Sequence, residues 1–236
     1  MHVRPSTHPT SQAKEAAFSP YEDHGGTNLA IAGPDYCLLA SDTRQSNGYN
    51  INTRFAPKTF KLSNKSVLAT AGCQPDCAMV TTRVKQSMLT YKHNHNKEMS
   101  TSAIAQMLSI MLYQRRFFPY YDFNILGGLD EDGKGCVYSY DAVGSYERVP
   151  CSAFGSASAL IQPFLDNQVR NKNQLGKPKV TEFEPVTPLP LAEALRICKD
   201  SFTSATERDI YTGDYLQIFI ITREGVEEQI HELKKD

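Results

Sequence analysis

The pattern of apolar and polar positions switches between strand-like and helix-like texture along the chain. From Thr27, TNLAIA and YCLLASDT are short apolar runs separated by Gly33, Pro34 and Asp35, which predicts a β-hairpin. Both faces of YCLLA are apolar or small, so this strand is expected to be covered on both sides. FKLS and SVLATAG predict two more strands, after which the stretch from Pro75 to Met99 turns helical, starting near Asp76. Ile104, Met107, Leu108, Met111 and Leu112 then recur at i, i+3, i+4, i+7 and i+8, one buried helical stripe that Ser100 or Thr101 can cap. FNILGGLDEDGKGCVYSYD reads as strand, turn and strand. A third helix is expected over Ser158–Asn167, and a fourth carries Leu191, Ala194, Leu195, Cys198, Phe202 and Ala205, before YLQIFIITREG returns to strand. Such segregated runs predict an α+β fold with helices on the outer faces of two stacked sheets.

The segments outside this pattern are polar. The first twenty or so residues hold Pro5, Pro9 and Pro20 without periodicity and read as a mobile arm or propeptide, so the organisation expected is an arm over 1–25 and one domain over 26–236. Arg170 to Pro190, with Lys172, Lys177, Lys179 and four prolines, reads as an exposed excursion between the last two helices. The HELKKD tail is charged and expected to be exposed.

Composition narrows the classes of function. With 25 basic and 26 acidic residues in 236, the net charge of -1 gives no reason to expect nucleic acid or a membrane surface as partner. No apolar run approaches the roughly 20 residues of a membrane span, and the opening lacks the apolar core of a secretory signal, so the chain reads as soluble and intracellular. Cys37, Cys73, Cys77, Cys136, Cys151 and Cys198 lie mostly in apolar segments, which favours buried free thiols over a disulfide framework. Cys73 and Cys77 find no second cysteine or histidine pair to complete a metal site, and no cofactor is expected. His93 and His95 fall near a helix end, where cationic side chains suit the dipole better than a ligand role. Phe117, Phe118, Tyr120 and Tyr121 around Pro119 lack a basic groove beside them and read as a packed corner, not a stacking platform.

The usual nucleophile signatures are missing: there is no G-x-S-x-G elbow, no H-E-x-x-H and no P-loop. What remains is a Gly-Gly-Thr at the start of the first strand, an Asp near the end of the second and a Lys soon after. That arrangement suggests N-terminal-nucleophile chemistry, in which a chain-terminal Thr attacks a carbonyl and its amine or a nearby Lys handles the proton.

At this point a resemblance becomes specific. GGTNLAIAGPDYCLLASDTRQSNGYNINTRFAPKTFKL, RRFFPYYDFNILGGLDEDGKGCVYSYDAVGSY, GSASALIQPFLDNQV and ATERDIYTGD together resemble proteasome beta subunits, over nearly the whole chain from about Phe18. RRFFPYY and GGLDEDGKG favour the non-catalytic type at the sixth beta position. The resemblance implies a four-layer α-β-β-α sandwich, a place in the 20S core particle among the alpha and beta subunits of a 28-subunit assembly, and residence in cytoplasm and nucleus.

Leu29 sets the register of the carry-over and puts Gly26 at the nucleophile position. Asp42, sixteen residues later, and Lys58, sixteen beyond that, match the family's acidic partner and lysine. Ser156, Asp209 and Thr212 match the later support positions, with Thr212 where active members carry Ser. The implied surround is therefore retained while the attacking hydroxyl is lost. The competing reading is an active threonine peptidase using Thr27. A one-residue slip along a strand turns a side chain to the other face, so Thr27 is expected to aim away from Lys58. Asp42 and Lys58 would then persist as a partly buried ion pair, with Arg44 in the same polar cluster. A threonine introduced at Gly26 is expected to lie in phase with that pair, to meet a permissive space and to allow at least partial self-cleavage after Gly25.

Overall fold

The computed structural model describes residues 18–181 and 186–236, so most of the expected arm, and Pro185 of the excursion, lie outside the described residues. Five antiparallel strands form one sheet in the order β10-β1-β2-β11-β12: β10 (Cys151–Gly155), β1 (Thr27–Ala32), β2 (Cys37–Asp42), β11 (Tyr215–Thr222) and β12 (Gly225–Glu232). A second antiparallel sheet runs β5-β6-β7-β8-β9: β5 (Thr59–Lys61), β6 (Ser66–Gly72), β7 (Asp122–Leu129), β8 (Gly135–Tyr140) and β9 (Tyr146–Val149). A small hairpin of β3 (Gln45–Asn47) and β4 (Asn50–Thr53) stands apart. The helices are α1 (Gln74–His95), α2 (Thr101–Tyr113), α3 (Ser158–Gln168) and α4 (Leu191–Thr206).

Three apolar clusters stack these elements into four layers. Leu29, Ile31, Leu38 and Ala40 on one face of the first sheet pack against Ile161 and Leu165 of α3 and Ile197 and Phe202 of α4. The opposite face, through Ala30, Cys37 and Leu39, meets Val67, Ile125 and Val137 of the second sheet. Leu68, Leu126 and Tyr138 on the outer face of that sheet take Val80 and Val84 of α1 and Ile104 and Leu108 of α2. The α-β-β-α sandwich expected from the sequence is thus present, and β2 is buried on both faces as its composition requires. The two sheets approach so closely that a Cβ at Gly127 would overlap Leu39 and stand 2.9 Å from Cys37 Sγ. All six cysteines are free and buried.

The elements that escaped the sequence reading have physical reasons. β12 is an edge strand of GVEEQIHE, largely exposed and too polar to signal a core face, and it takes in the first two residues of the expected charged tail. β9 and β10 flank Pro150, where the chain leaves one sheet for the other and the Pro150 carbonyl accepts the N–H of Ala32. Helix α1 begins at Gln74 rather than near Asp76, because Pro75 has no N–H to lose in a first turn. The Ser100 cap is present, its hydroxyl accepting from Ala103 N at 3.3 Å.

Residues placed in the arm by composition hold to the body near the site. The Tyr21 hydroxyl donates to the Pro119 carbonyl at 2.6 Å, and its ring lies 5.8 Å from that of Phe118 and 5.7 Å from that of Tyr121. His24 bridges the two strand systems: its N–H donates to Gly72 O, and its carbonyl accepts from Ser46 N.

Candidate functional site

The site gathers at the start of β1. Asp42, at the end of β2, is fully buried. Its Oδ1 accepts from Thr27 N at 2.8 Å and from Lys58 Nζ at 3.3 Å, while Oδ2 accepts from Arg44 N at 3.2 Å and Gly213 N at 3.4 Å. Lys58, just before β5, also donates to the Asp42 carbonyl at 3.0 Å. Burial pushes the Lys58 pKa down from the ordinary amine value, against the pull of Asp42. Burial also raises Asp42, against the Lys58 charge and the N–H groups of Thr27 and Gly213. A lysine displaced in this direction is suited to accept a proton.

No threonine hydroxyl reaches it. Among the described residues Lys58 Nζ hydrogen-bonds only to Asp42. Thr27 sits one residue on, and its side chain points to the other face of the strand. There Oγ1 accepts from Ala157 N at 3.0 Å, lies 2.7 Å from Thr212 Oγ1 and 3.3 Å from Ser156 Oγ, and has no exposure to solvent. The hydroxyls of Ser156 and Thr212 both donate to Asp209 Oδ2 at 2.6 Å, which leaves the Thr27 hydroxyl to donate to Thr212. The six positions carried over from the sequence therefore fall into two groups on opposite sides of β1. Gly26, Asp42 and Lys58 form one, and Ser156, Asp209 and Thr212 form the other, with Thr27 locked into the second.

Gly26 is the point between them. Its carbonyl accepts from Ser156 N at 3.0 Å. A Cβ built on it would point at Lys58, overlapping Cε and standing 2.6 Å from Cδ and 3.2 Å from Nζ. The phase expected for residue 26 is thus correct, but the space is occupied by the Lys58 methylenes and opens only if that side chain shifts. The backbone adds a second obstacle, with φ at 94°, a region that β-branched side chains avoid. Beside Lys58 lies a hollow of about 60 Å³, walled in part by His24, Gly25, Gln45, Thr70 and Cys77. Burial pushes the Cys77 thiol far up, so it offers no thiolate beside Lys58.

Arg44 belongs to the cluster through its N–H, but its guanidinium turns away to Asp214. Nε donates to Oδ2 at 2.8 Å and Nη2 to Oδ1 at 3.3 Å, and Arg54 joins Asp214 from the outside. Asp214 and Arg54 were not singled out from the sequence. Asp214 closes the ATERDIYTGD segment, but nothing local identifies partners 170 and 160 residues away.

Known proteins resemble this chain over most of its length. The family model for proteasome subunits matches residues 22–221. Among relatives, "Proteasome subunit beta type-1" of Petunia hybrida is 52% identical over 223 residues, covering 94% of this chain and 99% of the relative. The protein of that name from Danio rerio is 50% identical, covering 94% and 91%. "Proteasome subunit beta type-6" of Saccharomyces cerevisiae is 47% identical, covering 94% and 93%. The model match over most of the chain, the near-complete overlap with these relatives and the layered sandwich agree: this chain belongs to the proteasome subunit family.

Proposed function

We propose that this chain is a non-catalytic beta subunit of the proteasome core particle. It completes a beta ring among alpha and beta neighbours in a 28-subunit assembly, lines the degradation chamber and cleaves no bond itself. Cytoplasm and nucleus are its proposed locations. The observation that carries this reading is Gly26 in the position that faces Lys58 and Asp42, with Lys58 packed into the room a hydroxyl would need. Nucleophilic catalysis requires an activated hydroxyl beside its base, and here the base has none.

The reading based on Thr27 as nucleophile has geometry against it, since that hydroxyl is buried and bonded to Thr212 and Ala157 across the strand from Lys58. The test is an electrophile that captures N-terminal threonines, applied to assembled particles containing this chain. Active neighbours should be labelled and this chain should not be. An adduct mapped to Thr27 by peptide mass spectrometry would overturn the proposal.

Gly26→Thr bears on the same point. A threonine here must push the Lys58 methylenes aside and adopt an unfavourable φ. Overpacking of this kind costs about 1–3 kcal/mol. The expected result is a destabilised chain whose intact mass within the particle shows no cleavage after Gly25. A chain beginning at the introduced threonine would show that Lys58 can withdraw and act as base.

A further inference from the structure

Charge is unevenly distributed over this nearly neutral chain. From Gln74 to Arg116 there are six Lys and Arg but only two carboxylates, Asp76 and Glu98, and Glu98 is paired with Lys92. Two of the cations converge. The guanidinium carbons of Arg83 on α1 and Arg115 beyond α2 lie 5.8 and 5.7 Å from the centroid of the same Tyr120 ring, so they are no more than about 12 Å apart. Arg116 follows directly. Among the described residues, none of these three arginines has a carboxylate within 4.0 Å. Tyr120 is itself buried, so the ring that holds the two guanidiniums is fixed by the core.

An apolar strip runs beside them. Ile110 and Tyr113, three residues apart on α2, are exposed, as are Phe117, at 98%, and Phe118. Helix α2 carries no charged residue at all. The turn presenting Arg115 to Phe118 is ordered by its own backbone bonds: Arg115 N to Leu112 O, Arg116 N to Tyr113 O and Phe118 N to Arg115 O. Arginines and aromatics on a preorganised turn have the composition that concentrates binding energy at protein interfaces.

We infer that the surface formed by Arg83, Arg115 and Arg116 with Ile110, Tyr113 and Phe117 docks an acidic segment of a neighbouring proteasome subunit. In that contact partner carboxylates pair with the guanidiniums and apolar side chains cover the strip. The inference rests on the ring-subunit reading and names the chemistry of one of its contacts. A protein segment fits better than nucleic acid. The unpaired charges are few, the whole chain is not basic, and phosphates would leave Ile110 and Tyr113 uncovered.

The experiment replaces Arg115 with Lys, which keeps the charge and adds an amine. Particles containing the Arg115→Lys chain are treated with a carbodiimide, which joins amines to carboxylates in direct contact. A crosslink from residue 115 to an Asp or Glu of another subunit is expected. In parallel, the Arg83→Glu, Arg115→Glu variant should enter particles about tenfold less than wild type, since like charges then face each other. Failure of the wild-type chain to enter particles at all would remove the ring-subunit reading and this contact with it. A wild-type chain that enters, with Arg115→Lys giving no crosslink or one only within its own chain, would overturn the docking inference and leave the ring-subunit reading standing. Single-stranded RNA held by the particle and released by the charge reversals, again without a crosslink, would also overturn it and reassign the patch to nucleic acid.

Discussion

Asp214→Asn is expected to destabilise the chain by about 3–5 kcal/mol, the cost of leaving a buried charge without its partner. The substitution isolates the charge. Asp214 has φ at 72°, which asparagine tolerates as readily as aspartate, and the two side chains have the same shape. What changes is the company of Arg44. Its side chain is almost wholly buried, with Nε 2.8 Å from Asp214 Oδ2, Nη2 3.3 Å from Oδ1, and further bonds to the main-chain oxygens of Ile210, Lys234 and Asp236. The carbonyls of Ile210 and Lys234 orient a guanidinium but cannot neutralise it, and the Asp236 carboxylate is exposed and already paired with Lys234. Asp214 has no exposed surface, but Arg54, its second partner, is half exposed, so the cost belongs at the lower end of the range. Arg54, 49% exposed, provides the control, since Arg54→Ala is expected to cost about 1 kcal/mol or less. Denaturant titration of both variants distinguishes them, and equal midpoints would show that the two arginines are interchangeable supports.

The same carboxylate carries a pH signature. Burial alone would raise its pKa, but the hydrogen bonds from Arg44 and Arg54 outweigh that and hold it below the ordinary carboxylate value. A depressed folded pKa contributes stability above the unfolded value near 3.8 and loses it as pH falls through the folded value. The loop from Asp209 to Asp214 would loosen with it. Thr212, which holds the Thr27 hydroxyl, lies in that loop, and so does Gly213, whose N–H reaches Asp42. The network that fixes the candidate site is therefore anchored by an ion cluster outside it.

How far the sequence shows this depends on how local each feature is. The β1–β2 hairpin, α2 and α4 follow from spacing within a dozen residues, and the phase of Gly26 against Thr27 needs only the alternation of a strand. Asp42 and Lys58 pair at the separation that the family resemblance implies. The Lys58 side chain lying across the Cβ direction of Gly26 is a packing outcome with no sequence signal, which is why the space there looked permissive. Asp214, Arg44 and Arg54 meet because β11 pairs with β2, so the cluster emerges only once sheet order is known. The polar edge strand β12 and the Pro150 crossing are invisible for the opposite reason. Their residues are dictated by edge and turn, not by a core face.

Asp122→Asn is expected to act in the other direction, stabilising the chain at neutral and higher pH. Asp122 opens β7 beneath α1, is fully buried, and neither carboxyl oxygen meets a hydrogen-bond donor in bonding geometry. Burial raises its pKa from the ordinary 3.8 to about 7, its neighbours Cys77 and Asn124 oppose the rise, and the like charge of Asp76 adds to it. The unfolded chain loses this proton near 3.8, whereas the folded chain keeps it until about 7, so between those values the folded state binds more protons. Stability is therefore full below pH 3.8 and falls as pH rises, with the loss complete above about 7. That interval corresponds to about 4 kcal/mol as an upper bound. Asparagine has the same shape and cannot ionise. The variant should match wild type near pH 4 and exceed it by up to about 4 kcal/mol at pH 8. The effect reaches the site, since Cys77 beside the carboxyl also walls the hollow next to Lys58. The check is the denaturation midpoint of both proteins across this range. Parallel profiles would mean that Asp122 ionises as easily folded as unfolded, and that α1 is not packed over an uncharged carboxyl.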